Sequence, residues 1–325
     1  MDQLEFLKRT RRFLTAKEPF FFLVNFDKTK CFALSFDEAR HEDIIFEING
    51  VTNGHKSNNV LTNNPLSITV EPFPFESYLE GFELVMDNLK LGNSFLTNLT
   101  FPSKITSKLD LKTVFSCAKA HYKLRFKNKF VCFSPECFVR IKDDYIHSYP
   151  MKGTIDASIP NAAKVLLEND KEKQEHYTIV DLIRNDISMV AREVNVTKFR
   201  YIEEIPNANG NILQTSSEIR GKLDSSWKKD FGGLLLNMLP AGSISGAPKP
   251  QTLSIIKEAE RYDRNFYTGV FGVFDGNGID SGVAIRFIEQ NADGLWYKSG
   301  GGITHQSNVK EEYVELIKKI YIPTF

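Results

Sequence analysis

Short runs of aromatic and β-branched residues occur in consecutive groups along this chain, and this grouping constrains the fold more than any other feature. In the first half, five such runs predict strands at Phe20–Asn25, Ile44–Ile48, Ser94–Phe101, Lys129–Phe133 and Cys137–Lys142. In the second half, strands are predicted at Val194–Tyr201, Ile212–Leu223, Tyr267–Phe274, Gly278–Glu289 and Leu295–Ser299, with a hairpin turn at 275–278. This grouping indicates that β-sheets form a large part of the fold.

Segments with helical spacing of apolar residues separate these groups of strands. They predict helices at Ser77–Leu91, Glu168–Ile187, Pro248–Arg261 and Ser307–Ile320. Consecutive strands with helices interspersed favour an α+β fold over a doubly wound parallel sheet. No linker-like segment interrupts the pattern, so we expect one compact unit.

The charge balance excludes several classes of function. The 325 residues include 41 Lys or Arg and 41 Asp or Glu, which gives a formal net charge of zero. Proteins that bind nucleic acid by neutralising many phosphates usually carry excess positive charge, and a membrane-surface protein is disfavoured for the same reason. No stretch approaches the roughly 20 apolar residues that cross a bilayer, and the acidic start is unlike a secretory signal. We therefore expect a cytoplasmic protein.

Two predicted helices each carry a pair of glutamates three residues apart, Glu172 with Glu175 and Glu312 with Glu315. At about 100° per residue, the members of each pair share one helix face, and Lys319 shares that face in the second helix. In both helices this face lies beside the apolar stripe rather than opposite it, which is more typical of a cleft edge. Their oxygen ligands suit a hard divalent cation such as Mg²⁺, although each pair taken alone is more typical of a solvated surface.

Two glycine-rich segments and one arginine are candidate anion-binding elements. The turn at 242–249 opens a helix whose free N–H groups could bind a phosphate or carboxylate, but its spacing does not match a nucleotide phosphate loop. Gly300–Gly302 permits close approach of the backbone to a ligand, or simply a bend. Arg286 ends an apolar run and needs an anionic partner, either a substrate carboxylate or a structural acid.

Lys152 and Glu136 are candidate catalytic groups. Lys152 lies between an apolar residue and a glycine, where desolvation or a nearby cation could make its amine a nucleophile. Glu136 lies between two apolar strands and would act as a general acid if its pKa were raised. For both residues, a solvated position in a turn is the alternative.

Taken together, these segments resemble the chorismate-utilising enzymes, which include anthranilate synthase component I, aminodeoxychorismate synthase component I, isochorismate synthase and salicylate synthase. The resemblance runs from about Gly92 to Lys319 and rests on motifs in the same order: Asn98-Leu99-Thr100, Ser134-Pro135-Glu136, the Pro150–Thr154 turn, Glu175 followed by Asp181-Leu182-Ile183-Arg184-Asn185-Asp186, the Gly242–Lys249 turn, Tyr267-Thr268-Gly269, Ala284-Ile285-Arg286, the three glycines and the closing glutamate helix. It implies a large single-domain α/β sandwich of mostly antiparallel sheets with outer helices. Residues 1–91 would be a short N-terminal part without a tryptophan-regulatory segment, and residues 92–325 the chorismate-binding catalytic core.

The resemblance also implies a role for each candidate residue. The proposed metal is Mg²⁺, held by Glu175 and Glu315 with support from Glu172 and Glu312. The substrate-binding set comprises Arg286 and Tyr267 for the enolpyruvyl carboxylate, the backbone of Gly300, Gly301 and Gly302, and Lys319, Ser245, Gly246 and Thr154. Glu136 would protonate the departing ring hydroxyl.

Lys152 indicates which member of the family this chain resembles. Anthranilate synthases have Ala at this position, whereas Lys is similar to aminodeoxychorismate synthase, in which the amine attacks ring C2 before ammonia adds at C4. Leu96 stands where isochorismate and salicylate synthases carry a water-activating Lys, and Gln214 stands where many relatives have His. Anthranilate synthase component I remains the alternative activity.

The expected partners follow from the same resemblance. The sequence has no Cys-His glutaminase segment, so ammonia would come from solution or from a separate glutamine amidotransferase subunit. Chorismate is the expected substrate.

Overall fold

Within the described residues, two nine-stranded antiparallel sheets form the centre of the protein, and the α+β sandwich expected from the sequence is confirmed. The computed structural model describes residues 1–54, 68–205 and 210–323. Its strands are β1 Phe20–Val24, β2 Cys31–Ser35, β3 Ile44–Ile48, β4 Val51–Thr52, β5 Thr69–Glu71, β6 Leu96–Thr106, β7 Tyr122–Phe126, β8 Phe130–Ser134, β9 Cys137–Lys142, β10 Tyr145–Ser148, β11 Met151–Asp156, β12 Arg192–Ile205, β13 Ile212–Lys222, β14 Gly246–Ala247, β15 Val270–Phe274, β16 Ile279–Val283, β17 Phe287–Asn291 and β18 Gly294–Ile303. Its helices are α1 Gln3–Ala16, α2 Phe36–His41, α3 Phe75–Lys90, α4 Leu111–Cys117, α5 Ala162–Glu168, α6 Asp170–Ser188, a 3₁₀ turn Trp227–Lys229, α7 Phe231–Met238, α8 Gly242–Ser245, α9 Lys249–Glu260 and α10 Val309–Lys318.

The order of strands in the sheets mixes early and late parts of the chain. The first sheet runs β11-β13-β10-β9-β16-β15-β1-β2, and β12 also pairs with β13. The second sheet runs β14-β6-β18-β17-β8-β7-β3-β4, and β5 also pairs with β6. Strands that precede Gly92 therefore contribute to both sheets.

The apolar run of β1 shows why the sheets are buried on both faces. Phe21 faces the second sheet, where its ring stacks on Phe46 at 5.0 Å between centroids. Phe22 faces the opposite way and meets Phe231 of α7 at 5.3 Å. Successive side chains of a strand point to opposite faces, so a strand between a sheet and a helical layer must be apolar at every position. None of the helices within the described ranges is long and apolar enough to span a membrane.

Several predicted elements differ from the structure, most of them in their bounds. The single strand predicted at Gly278–Glu289 is wrong, because β16 belongs to the first sheet and β17 to the second, and residues 284–286 cross between them. The prediction failed because the crossing residues are apolar, like a strand, while Arg286 adopts a φ of +52°. The strand predicted at Leu295–Ser299 continues through the glycines as β18, and the helix predicted at Glu168–Ile187 is preceded by a separate helix, α5.

Candidate functional site

Two connections that cross between the sheets lie side by side and form one wall of a cavity. Residues 135–136 connect β8 to β9, and residues 284–286 connect β16 to β17. The backbone N–H of Val283 donates to the carbonyl of Glu136 at 3.1 Å, and that of Phe133 donates to the carbonyl of Arg286 at 3.1 Å. These hydrogen bonds fix the two crossings to each other, so Glu136 and Arg286 reach the same cavity.

The cavity has a volume of about 350 Å³ and gathers most of the residues singled out in the sequence. This volume is within the range of small-molecule sites. The predicted residues that line it are Lys152, Glu136, Tyr267, Arg286, Gly300, Gly301, Gly302, Lys319, Thr154, Glu175 and Glu315. Leu96 and Gln214 line it as well, whereas Ser245, Gly246, Glu172 and Glu312 are not among the lining residues.

A β-bulge brings Lys152 into the cavity. The pairing of β11 with β13 shifts register between Lys152 and Thr154, and the extra residue, Gly153, has a φ of +74°. A Cβ atom on Gly153 would lie 2.9 Å from a Glu172 oxygen, so glycine lets β11 approach helix α6 closely. The Lys152 ammonium lies 3.4 Å from Glu175 Oε2, and about a third of each side chain is exposed.

A buried histidine, His176, contacts β13, the strand that pairs with β11 and Lys152. The sequence did not identify this residue as part of the site. His176 Nε2 lies 2.7 Å from the Ser217 hydroxyl and Nδ1 lies 3.3 Å from the Thr215 hydroxyl, which itself donates to the carbonyl of Lys152. Burial, with the nearby charge of Arg200, lowers the pKa of His176 to about 4, so its ring is neutral near pH 7. The sequence places His176 directly after Glu175, but nothing in that spacing indicates which way it faces.

Glu136 has the environment of a general acid. Burial raises the pKa of its carboxyl, while a hydrogen bond from Ser243 and the charges of Lys152, Arg286 and Lys319 oppose that rise. The Ser243 hydroxyl donates to Glu136 Oε1 at 2.5 Å. A carboxyl with a raised pKa holds its proton closer to neutral pH, as proton donation to a leaving group requires.

Of the two serines in the turn at 242–249, Ser243 rather than Ser245 lines the cavity. Ser245 is completely buried, and its hydroxyl donates to the carbonyl of Ala241 at 2.8 Å. Gly246 has a φ of +124°, and a Cβ atom there would lie 1.9 Å from the carbonyl oxygen of Leu96. In this structure both residues shape the turn. The sequence indicated the turn but not which of its hydroxyls faces the cavity.

Two of the glutamates singled out in the sequence, Glu312 and Glu315, lie beside Gly301 of β18. A Cβ atom on Gly301 would lie 3.6 Å from an oxygen of Glu312, 3.6 Å from one of Glu315 and 3.5 Å from the Lys319 ammonium. Lys319 also pairs with Glu315 at 2.6 Å and donates to the carbonyl of Gly300 at 2.9 Å. The glycines therefore leave open the space between the strand and the glutamates.

Charge repulsion is present among these glutamates. Burial and, to a smaller extent, the charge of Glu175 raise the pKa of Glu172. Burial also raises the pKa of Glu312; a hydrogen bond from Ser307 opposes this rise, and the charges of Glu315 and Glu175 add to it. Burial also opposes ionisation of Glu315, but the charge and hydrogen bond of Lys319 outweigh it and lower its pKa. Across the described residues, no three acidic, His or Cys side chains converge closely enough to hold an ion as they stand.

Arg286 is a cation that lacks an acidic partner. Within the described part of the chain, no carboxylate oxygen forms an ion pair with its guanidinium, and its buried Nε has no hydrogen-bond partner. Tyr267 lines the same wall and is buried. Of the two partners left open by the sequence, the described residues do not supply the structural acid.

Comparison with known proteins agrees with this arrangement. Residues 5–324 match the family model of the chorismate binding enzymes. An uncharacterised PabA-like protein of Haemophilus influenzae is 49% identical over 318 residues, which cover 98% of this chain and 96% of that protein. Aminodeoxychorismate synthase component 1 of Bacillus subtilis is 29% identical over 265 residues, covering 77% of this chain and 55% of that protein.

A solved structure shares the fold. The menaquinone-specific isochorismate synthase of Escherichia coli superposes with a TM-score of 0.71 at 15% identity, over 97% of this chain and 80% of that one. The family match spans both sheets and every element that lines the cavity. The chain therefore belongs to the chorismate binding enzyme family.

Proposed function

We propose that this protein is an aminodeoxychorismate synthase component I, which aminates chorismate at C4 with ammonia to give 4-amino-4-deoxychorismate. The observation that carries the proposal is that Lys152 lines the cavity together with Glu136 and Arg286. An amine, a carboxyl whose pKa is raised by burial and a guanidinium without an acidic partner among the described residues suit attack on a ring whose hydroxyl leaves and whose carboxylate is bound.

The two carboxylates of chorismate have separate binding regions in this cavity. The Arg286 guanidinium, with Tyr267 beside it, is suited to the enolpyruvyl carboxylate because no acid neutralises it among the described residues. The ring carboxylate would lie against the glycines of β18, near the glutamates of α6 and α10. This arrangement would orient the ring between Lys152 and Glu136.

The glutamates fit a Mg²⁺ ion by their chemistry. They supply hard oxygen donors, and burial and mutual repulsion raise the pKa values of Glu172 and Glu312, a strain that a bound cation relieves. Because Mg²⁺ usually takes only one or two carboxylates together with waters and substrate oxygens, Glu175 and Glu315 would hold it, with Glu172 and Glu312 in support. When bound, the ion would neutralise the ring carboxylate.

In the proposed reaction, the Lys152 amine attacks C2 of the ring while the C4 hydroxyl leaves as water with a proton from Glu136. The ring double bonds shift in that step, so a C2–N bond forms as the C4–O bond breaks. Ammonia then adds at C4, the double bonds shift back, and the Lys152 amine leaves C2. Before attack, the Lys152 ammonium, which is about a third exposed, must give up a proton to solvent.

The ammonia is proposed to come from a separate glutamine amidotransferase subunit. This proposal rests on the family resemblance. Free ammonium at high concentration would replace that subunit in an assay.

Product analysis tests the proposal. The purified protein is incubated with chorismate, Mg²⁺ and ammonium, and the product is identified by mass and fluorescence. We expect aminodeoxychorismate without pyruvate release. Fluorescent anthranilate with an equal amount of pyruvate would instead establish the alternative, anthranilate synthase component I.

A lysine variant tests the covalent step. We expect Lys152→Ala to abolish aminodeoxychorismate formation, while Lys164→Ala serves as the control because that side chain is largely exposed on α5. Unchanged aminodeoxychorismate output from Lys152→Ala would refute the role of the amine.

A further inference from the structure

The orientation of Arg286 requires an explanation, because no acidic side chain among the described residues pairs with its guanidinium. Its backbone has a φ of +52° in the connection between the sheets, and its Nε atom is buried without a hydrogen-bond partner. No acid within the described ranges holds the guanidinium. A long side chain without an acidic partner would sample several rotamers unless another group restrained it.

The aromatic ring of Tyr321 supplies that restraint. The guanidinium carbon of Arg286 lies 5.1 Å from the centre of the Tyr321 ring, within the distance of a cation–π contact. Tyr321 is not among the residues that line the cavity. The ring therefore contacts the guanidinium without occupying the space available to a ligand.

The segment that carries Tyr321 is itself held in place at several points. The hydroxyl of the buried Tyr297 donates to the carbonyl of Tyr321 at 2.9 Å, and the N–H of Lys119 donates to the carbonyl of Pro323 at 2.9 Å. Ile320 and Ile322, on either side of Tyr321, are buried in one apolar cluster. The ring is thus presented to Arg286 by a segment with a fixed register, although the Tyr321 residue is 41% exposed.

An aromatic partner and an acidic partner differ in whether they leave the N–H donors and the charge of the guanidinium available to a ligand. A carboxylate would occupy the N–H donors of the guanidinium and neutralise its charge, in direct competition with an anionic ligand. A ring on the face of the guanidinium leaves the N–H edge and the charge available. We propose that Tyr321 is a positioning residue that holds Arg286 ready for a substrate carboxylate; this proposal rests on the proposed role of Arg286 in binding chorismate.

The test measures chorismate binding in the full-length protein by calorimetry, with Mg²⁺ and without ammonia, so that the identity of the product does not affect the result. Tyr321→Leu is expected to weaken binding about tenfold, the size of a partly desolvated cation–π contact. Tyr321→Phe, which keeps the ring, is expected to bind within about threefold of the wild-type protein. The control is Tyr177→Leu, which removes another half-exposed ring, outside the cavity lining.

Steady-state kinetics with ammonium separate positioning from a structural effect. We expect Tyr321→Leu to raise KM and to leave kcat within about twofold, with the thermal unfolding midpoint unchanged. Wild-type affinity in Tyr321→Leu would overturn the proposal, and so would a loss in Tyr321→Phe equal to that in Tyr321→Leu. If the wild-type protein binds chorismate but forms anthranilate, the proposed function fails and the role of Tyr321 is still decided by the affinities.

Discussion

Gly301 offers a sharp test of where the cation and the ring carboxylate are bound. A Cβ atom added there would lie 3.5–3.6 Å from the Lys319 ammonium and from oxygens of Glu312 and Glu315. These are ordinary van der Waals distances, and Gly301 is not among the glycines that have a positive φ. Gly301→Ala should therefore fold normally while its methyl group fills the space beside the carboxylates.

This geometry allows the effects on the free energy of unfolding and on the Mg²⁺ affinity to be estimated. Gly→Ala substitutions at compatible positions change the free energy of unfolding by less than about 1 kcal/mol. Disturbing the surroundings of a metal ligand typically weakens metal affinity by about 10- to 100-fold, or about 1.4–2.7 kcal/mol. We expect Gly301→Ala to show near-normal stability, with a rise of about 10- to 100-fold in the Mg²⁺ concentration needed for half-maximal turnover.

The neighbouring glycine gives the matched control. A Cβ atom on Gly300 would lie 2.3 Å from the carbonyl oxygen of Leu99, so Gly300→Ala must push β18 away from β6 and lower the stability by roughly 1–3 kcal/mol. Urea denaturation and Mg²⁺ titration of turnover measure both variants. If Gly301→Ala kept the wild-type Mg²⁺ dependence and activity, the cation would not bind beside this glycine and the assignment would be wrong.

Three further predictions address the acid, the cation and the core. Ser243→Ala removes a hydrogen bond that lowers the pKa of Glu136. The fall of kcat/KM that occurs as Glu136 ionises should therefore move to higher pH, and an unchanged pH–rate profile would contradict this. Glu315→Ala should lose both activity and the rise in unfolding temperature produced by Mg²⁺, and full activity would exclude this ligand. Arg264→Met leaves the buried carboxylate of Glu260 unpaired and should lower the free energy of unfolding by about 3–5 kcal/mol, measured by urea denaturation; a loss below about 1 kcal/mol would contradict the inferred burial.

The predicted bounds of strands and helices were most accurate where the apolar pattern of the sequence matches the residues that are buried in the structure. The strand predicted at Ile44–Ile48 has those bounds in the structure, and the predicted helix Pro248–Arg261 matches α9 to within one residue at each end. Local spacing determined these elements because each packs a single, regular apolar face. The predictions failed at residues 284–286, where an apolar run leaves one sheet for the other, since apolar composition does not record a change of sheet.

In the candidate site, too, some features could be predicted from the sequence and others could not. Glu136, Lys152 and Arg286 were identified from residue type and motif order, and all three line the cavity. The identity of the cavity-facing serine, the role of His176 behind Lys152 and the contact of Tyr321 with Arg286 could not be read from the sequence. Each depends on which side of a turn, helix or terminal segment faces its neighbour.

The sequence by itself determined the fold class, the family and the chemical groups of the site, because strand alternation, helical spacing and motif order are properties of residues close together in the chain. Only the tertiary structure decided how those groups meet. Pairing between β16 and β9, and between β17 and β8, joins segments about 140–160 residues apart in the chain and places the two crossings together. Such long-range pairing depends on the packing of both sheets at once, and no local pattern encodes it.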